Sequence, residues 1–324
     1  MRVLVTGATG FIGQSFIPFL LKKGVTVRVL VRGLRQNGFP SEVEQYIGDL
    51  TNADSLKGAA ADVDVLFHLG GHAHAWKEKD EEAINKHTAV NFMGTQNILN
   101  EGIRAGIKKF IFFSTIKAVA DTEKCIDEKW DTQPNTPYGK AKRAAEEWVL
   151  NNCNQHAVHA CILRLPLIYG PGVKGNLYQM LQSIDKGYFP AIPFTKNQRS
   201  LVGIYDVCEA AWLAAQSIQA NGKVYFVTDN QSYSTHDIYS IMRHALGKSH
   251  PWFYFPFWLF KILALVGDAV GSALRRRIPF DSQAFDKLFG TVYCDSSCIQ
   301  EELGFCPQYS LRELMPEIVR AYRG

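Results

Sequence analysis

Through the first half of the chain, short apolar runs alternate with longer stretches whose apolar positions recur at helical spacing. RVLVTG (2–7), VTVRVLV (25–31), VDVLFHL (63–69), KKFIFFST (108–115) and AVHACILRLP (157–166) are continuous runs, the pattern of strands buried on both faces. Helical patterns separate them at 10–23, 81–105 and 138–152. The alternation predicts an α/β fold, a doubly wound parallel sheet with helices on both faces. Pro18 falls inside the first helical stretch and predicts a bend there, because an interior proline removes a helical hydrogen bond. After about residue 170 the texture changes. Gly and Pro cluster at YGPGVKGN (169–176) and GYFPAIP (187–193), strand-like KVYFVTD follows at 223–229, and STHDIYSIMRHALG at 234–247 is helical. The expectation is a first domain over 1–170 and a smaller, discontinuous α+β lobe over 171–324, with segments near 200–230 returning to the first domain.

The most apolar segment is WFYFPFWLFKILALVGDAVGSALRRR (252–277). Pro256, Lys261 and Asp268 interrupt it, so it falls short of a spanning helix. It reads as an amphipathic helix of the second lobe. A sharper reading is an interfacial helix with Arg275, Arg276 and Arg277 toward anionic headgroups, which implies peripheral membrane contact.

Over 324 residues, 47% hydrophobic and 20% charged residues fit a chain with a sizeable core. The net charge of +4, without a basic run interleaved with aromatics, excludes nucleic acid as a partner. Seven scattered cysteines, an odd number, point to reduced thiols and a cytoplasmic protein, with the inner face of the membrane as a second station. Cys294 and Cys298, and the i, i+2 pair His72 and His74, lack further ligands at metal spacing, so no metal is expected.

VTGATGFIG (5–13) places glycines at 7, 10 and 13 between a strand and a helix. This is the context of a phosphate-cradling turn. One glycine permits the turn, the next lets a pyrophosphate approach the backbone, and the third lets helix and strand pack closely, with the helix N–H groups facing the anion. The first domain is therefore expected to bind a dinucleotide. A carboxylate about 20 residues on would grip a ribose and favour NAD, but no Asp or Glu occurs before Glu42. Val31 stands where the acid would sit, and Arg32 and Arg35 lie beyond, suited to a 2′-phosphate. The cofactor is thus NADP or NAD, with the arginines leaning toward NADP. Asp49, in IGDL (47–50), is a candidate for the adenine edge.

Tyr138 and Lys142 in PYGKAK (137–142) share one helix face. A free tyrosine is a poor base near neutral pH, and a neighbouring cation lowers its pKa. The phenol could then exchange a proton with an alcohol or carbonyl oxygen. Ser114 and Thr115 end a strand, where active sites of open α/β sheets lie, and either hydroxyl could hold the same oxygen.

Taken in order, TGATGFIG (6–13), FHLGGHAH (67–74), VNFMGTQNIL (90–99), FIFFSTIKA (110–118), YGKAK (138–142), LRLPLIYGPGVKGN (163–176), RSLVGIYDV (199–207) and LGFCPQYSL (303–311) resemble the extended short-chain dehydrogenase/reductase family, in particular its NAD(P)-dependent sugar epimerase/dehydratase branch. The resemblance spans nearly the whole chain. It implies that Gly7, Gly10 and Gly13 hold the pyrophosphate, lined by Thr9, Phe11 and Ile12. It places Leu50, Leu69, Gly70, Gly71, Asn91 and Leu165 on the cofactor side. Tyr138 becomes the acid/base, and Lys142 binds the nicotinamide ribose. Thr115 takes the hydroxyl role, with Ser114 as the backup. His74, Thr115, Asn176 and Arg199 fall on the substrate side, the last two toward a nucleotide-sugar diphosphate. Ile116 and Lys117 replace the acidic pair of the dehydratase members, which argues against elimination. HLGG replaces the more usual HLAA.

The implied activity interconverts alcohol and ketone at a ring carbon of a nucleotide sugar, first as a UDP-sugar C4 epimerase and alternatively as an NADPH-dependent reductase of a UDP-4-keto sugar. A 3β-hydroxysteroid-type dehydrogenase is a third reading. A homodimer is implied, built on a four-helix contact that includes the Tyr138 helix.

Overall fold

A computed structural model describes residues 1–34, 38–72, 81–120, 122–249, 251–274 and 280–324. Its first half runs β1 (Arg2–Thr6), α1 (Phe11–Lys22), β2 (Thr26–Val31), β3 (Glu44–Ile47), β4 (Val65–His68), α2 (Glu81–His87), a π-helical turn (Thr88–Met93), α3 (Gly94–Ala105), β5 (Lys109–Thr115), α4 (Pro137–Gln155) and β6 (His159–Leu165). The second half runs β7 (Leu167–Tyr169), α5 (Asn176–Asp185), β8 (Arg199–Gly203), α6 (Ile204–Gln216), β9 (Lys223–Phe226), β10 (Ser232–Tyr233), α7 (Thr235–Ala245), α8 (Phe257–Leu274), α9 (Ser282–Phe289), α10 (Ser297–Leu303) and α11 (Leu311–Arg323).

Seven strands form one parallel sheet in the order β3-β2-β1-β4-β5-β6-β9, the expected doubly wound architecture. Its alternate side chains feed two cores. Val3, Val5, Val29, Phe67, Ile111 and Leu163 pack with α1 and α6, while Leu4, Leu30, Leu66, Phe110, Phe112 and Ile162 pack with α3 and α4. A second sheet, β10-β8-β7, joins α5, α7 and α11 around a third core that includes Leu181, Leu201, Tyr239, Leu314 and Ile318. The chain order reverses between β1 and β4, so a crevice opens at their carboxyl ends. Phe11 spans that opening, since it starts α1 yet packs against the third core.

Helix α1 continues through Pro18 as one element. The stretch 81–105 is not one uniform helix, because the π turn interrupts it at Asn91. Helix α8 begins at Phe257 and buries Phe260, Ala264 and Gly267, where a Cβ on Gly267 would collide with the Phe280 carbonyl oxygen. Trp258, Leu263, Leu265 and Val266 on the same helix are exposed. Among the described residues no helix is long and apolar enough to cross a membrane. All seven cysteines are free thiols.

Candidate active site

The glycine turn meets the end of β4 at its tightest point. Gly7 has φ +69°, and a Cβ there would lie 2.7 Å from the Gly70 nitrogen. A Cβ on Gly13 would collide with the Ala8 carbonyl, so glycine is what lets α1 sit against β1. Gly10 precedes the first turn of α1, where no side chain caps the N–H groups and no acid stands. An anion is the natural occupant of such a helix start. Thr9 and Gly10 lie on the turn's outer side, Ile12 packs toward the sheet, and Leu69 and Leu165 line the sheet core beneath. Leu50 packs over Gly70 and Gly94, where a Cβ would stand 2.7 Å from Leu50 Cδ1 and 3.0 Å from Leu50 Cβ respectively.

A buried chain of hydrogen bonds ties this turn to the π turn. The Gly70 N–H donates to Thr6 Oγ1 (3.0 Å), which lies 2.6 Å from His68 Nδ1, and His68 Nε2 lies 2.9 Å from Thr95 Oγ1. The Thr95 hydroxyl donates to the Asn91 carbonyl (2.7 Å). A carbonyl only accepts, so Thr95 accepts from His68 Nε2–H, and in the neutral ring Nδ1 accepts from Thr6. The position of His68 favours that neutral form. Burial, followed by the charge of Lys142, holds its pKa well below the ordinary histidine value. Asn91 pins the β4 loop from both sides, accepting from the His72 N–H (2.7 Å) and donating to the His72 carbonyl (2.9 Å). Neither His68 nor this relay stands out in the sequence, because Thr6, His68 and Thr95 are far apart along it.

Tyr138 and Lys142 start α4, capped by Thr136. The Tyr138 phenol faces the Thr115 hydroxyl at the end of β5, which opposes part of the upward push of burial on the phenol. Lys142 Nζ donates to the Phe113 carbonyl (2.9 Å) and lies 4.5 Å from the Phe112 ring centroid. The rings of His72, His87 and Tyr138 follow one another at 5.2 and 5.5 Å. Burial raises the phenol to about 12 and lowers the lysine to about 8. The expectation that Lys142 depresses Tyr138 is thus corrected for the protein alone, where removal from water dominates and only the Thr115 hydroxyl opposes it. A Cβ on Gly71 would lie 3.1 Å from Asn91 Oδ1 and 3.5 Å from Lys142 Nζ, so the second glycine of HLGG packs closely against the asparagine amide and the lysine. The uncapped α1 start and the buried ammonium suit a dinucleotide.

Other expected residues are engaged differently. Ser114 points to the opposite face of β5 from Thr115 and donates to Glu146, so it is not a spare hydroxyl for the crevice. Asp49 accepts from the N–H (2.8 Å) and hydroxyl (2.7 Å) of Thr51, which hold its carboxyl below the usual range, with Arg32 adding to the effect. That carboxylate serves its own turn, near the arginine that follows β2. Arg199 donates to the Lys287 (2.6 Å) and Asp286 (3.3 Å) carbonyls at the end of α9 rather than to an open diphosphate subsite. Asn176 is exposed at the first position of α5. Arg35, His74 and Arg275–Arg277 lie outside the described residues.

The fold and these residues define a dinucleotide-binding α/β enzyme with a tyrosine–lysine pair at the sheet's carboxyl edge. The model of the NAD dependent epimerase/dehydratase family matches residues 3–227, and the chain belongs to that family. NAD is accordingly the cofactor class, one of the two that the sequence offered. The chain is 29% identical to a UDP-glucose 4-epimerase of Vibrio cholerae, over 99% of this chain and 95% of that protein. It is 23% identical to a 3-beta-hydroxysteroid dehydrogenase of Mycolicibacterium neoaurum, over 99% and 91%. Its fold matches the UDP-glucose 4-epimerase of Thermus thermophilus in complex with NAD, with a TM-score of 0.77, 23% identity and coverage of 100% and 99%.

Proposed function

We propose that the protein inverts the C4 hydroxyl of a UDP-hexose or UDP-N-acetylhexosamine. The observation that carries this reading is the juxtaposition of the Tyr138 phenol, the Thr115 hydroxyl at the end of β5 and the buried Lys142, with β4 between them and the glycine-turn strand β1. Tyr138 takes the proton of the C4 hydroxyl and returns it to the carbonyl oxygen. Thr115 holds that oxygen in place. Gly7, Gly10 and the start of α1 hold the cofactor's pyrophosphate, Asn91 fixes the wall of its pocket, and Lys142 holds its nicotinamide ribose. The nicotinamide, when bound, accepts and gives back hydride, and its positive charge in the oxidised form favours the phenolate. The epimerase relative supports the sugar class.

A reductase of a UDP-4-keto sugar is the second reading. It is favoured by the resting protonation, a phenol raised to about 12 beside a lysine cation, which is poised to donate a proton. Product analysis separates the two. Offered UDP-glucose and UDP-N-acetylglucosamine with catalytic NAD, an epimerase forms the C4 epimer without net cofactor use. Offered a 4-keto UDP-sugar, a reductase consumes NADPH or NADH one for one. Failure of both reactions rejects the sugar assignment.

The proposal extends to assembly. A second copy would seat on the apolar groove lined by Ile84, Thr88, Phe92, Pro137, Ala141 and Ala144. The exposed face of α8 would rest on an anionic membrane surface.

A further inference from the structure

Helix α4 carries Tyr138, Lys142 and Glu146 at four-residue intervals, and β5 ends in Phe113, Ser114 and Thr115. The two rows are joined rung by rung. Tyr138 faces Thr115, Lys142 donates to the Phe113 carbonyl, and Glu146 accepts from the Ser114 hydroxyl at 2.5 Å. Glu146 is also clasped by Arg164 of β6. Nη2 lies 2.7 Å from Oε2, and Nε lies 3.2 Å from both carboxylate oxygens. The guanidinium lies 5.5 Å from the ring centroid of Phe226 on β9. Ser114, Lys142, Glu146 and Arg164 are all at most 6% exposed. A buried ion pair is a weak source of stability, because desolvation consumes most of the attraction. This pair instead ties the helix bearing Tyr138 to β6, and the Ser114 bond ties the same carboxylate to β5, the strand bearing Thr115.

We propose that Glu146 is a positioning residue for Tyr138 and Lys142: held by Arg164 and Ser114, it locks α4 in register with the end of β5 and places an anion one helical turn from the buried ammonium. The inference rests on Thr115, Tyr138 and Lys142 being the reacting machinery. The titratable groups around Lys142 are Tyr138 and Glu146 on its own helix and His68 from β4, with His87 of α2 beside Tyr138. Of these only Glu146 favours the charged lysine, opposing the burial that pulls it down to about 8.

The test compares wild type with Glu146→Gln, Glu146→Asp, Ser114→Ala and Tyr138→Phe. NADH affinity is followed by fluorescence as a function of pH, with melting temperature and, for whichever UDP-sugar turns over, kcat and KM. In Glu146→Gln the pH above which NADH affinity falls moves down by about one unit, because the lysine loses its anionic neighbour. Its kcat falls about tenfold or more with KM little changed. Glu146→Asp, which keeps the charge, restores the midpoint. Ser114→Ala keeps the midpoint and lowers kcat. A Glu146→Gln protein with the wild-type midpoint, whatever its melting temperature, overturns the proposal. If that variant does not fold, Ser114→Ala at wild-type kcat and NADH affinity overturns it instead. Full activity in Tyr138→Phe would condemn the site reading itself, whereas an inactive Tyr138→Phe beside an unaltered Glu146→Gln condemns only this inference.

Discussion

Burial, rather than the charge of a neighbour, sets the resting state of the reacting side chains. It raises Tyr138 and lowers Lys142, yet at neutral pH both remain protonated, a phenol beside an ammonium. The same force makes His68 neutral, and there it has a consequence for stability. The native pKa of His68 lies well below the ordinary value of the denatured chain. As pH falls through about 6.5 the denatured state gains a proton that the native state refuses, so stability is lost toward acid. Between about pH 7.5 and 5.5 the urea midpoint of wild type should fall more than that of His68→Gln, by about 1 kcal/mol in unfolding free energy. Parallel acid limbs in the two proteins would mean that His68 titrates normally. Tyr138, Lys142 and Thr115 were legible in the chain because two of them share a helix face and all follow a glycine turn in order. Glu146, Arg164, His68 and Thr6 were not, because each acquires its meaning from a partner on another strand or helix.

At the scale of elements, the crevice depends on how closely the glycine turn approaches the β4 loop. Gly7 combines a left-handed backbone with a neighbour at 2.7 Å, whereas Gly71 has ordinary backbone and a neighbour at 3.1 Å. Gly7→Ala should therefore destabilise by more than about 1 kcal/mol and abolish NADH binding, while Gly71→Ala should fold and bind. Differential scanning calorimetry and fluorescence titration check the pair, and the reverse ranking would be evidence against this packing. The main parallel strands and their helices were readable from apolar runs, because strands buried on both faces leave no other pattern. The π turn was not, since it replaces one helical hydrogen-bond pattern by another around Asn91 within a continuous helical stretch. Strands β3, β7, β8 and β10 were also hidden, being two to five residues long and dependent on partners elsewhere in the chain.

For the whole molecule, two surfaces extend the account beyond the crevice. The groove beside α4 is apolar and lies on the helix that starts with Tyr138, so a second copy there would brace the active-site helix. Ala144→Arg should then convert a dimer to a monomer in light scattering, and an unchanged mass would rule out that contact. On α8, a broad exposed apolar face with Trp258 at one end predicts co-sedimentation with anionic vesicles at low salt. A protein that stays in the supernatant would exclude the membrane contact. Neither surface alters the central claim, that Tyr138 moves the proton as hydride leaves the sugar for NAD. Its most direct measurement is the absorbance of reduced nicotinamide when the NAD-loaded enzyme meets a UDP-hexose. Wild type should show reduction within the first turnover, and Tyr138→Phe should lose about two to four orders of magnitude in its rate. Reduction at the wild-type rate in Tyr138→Phe would contradict the account.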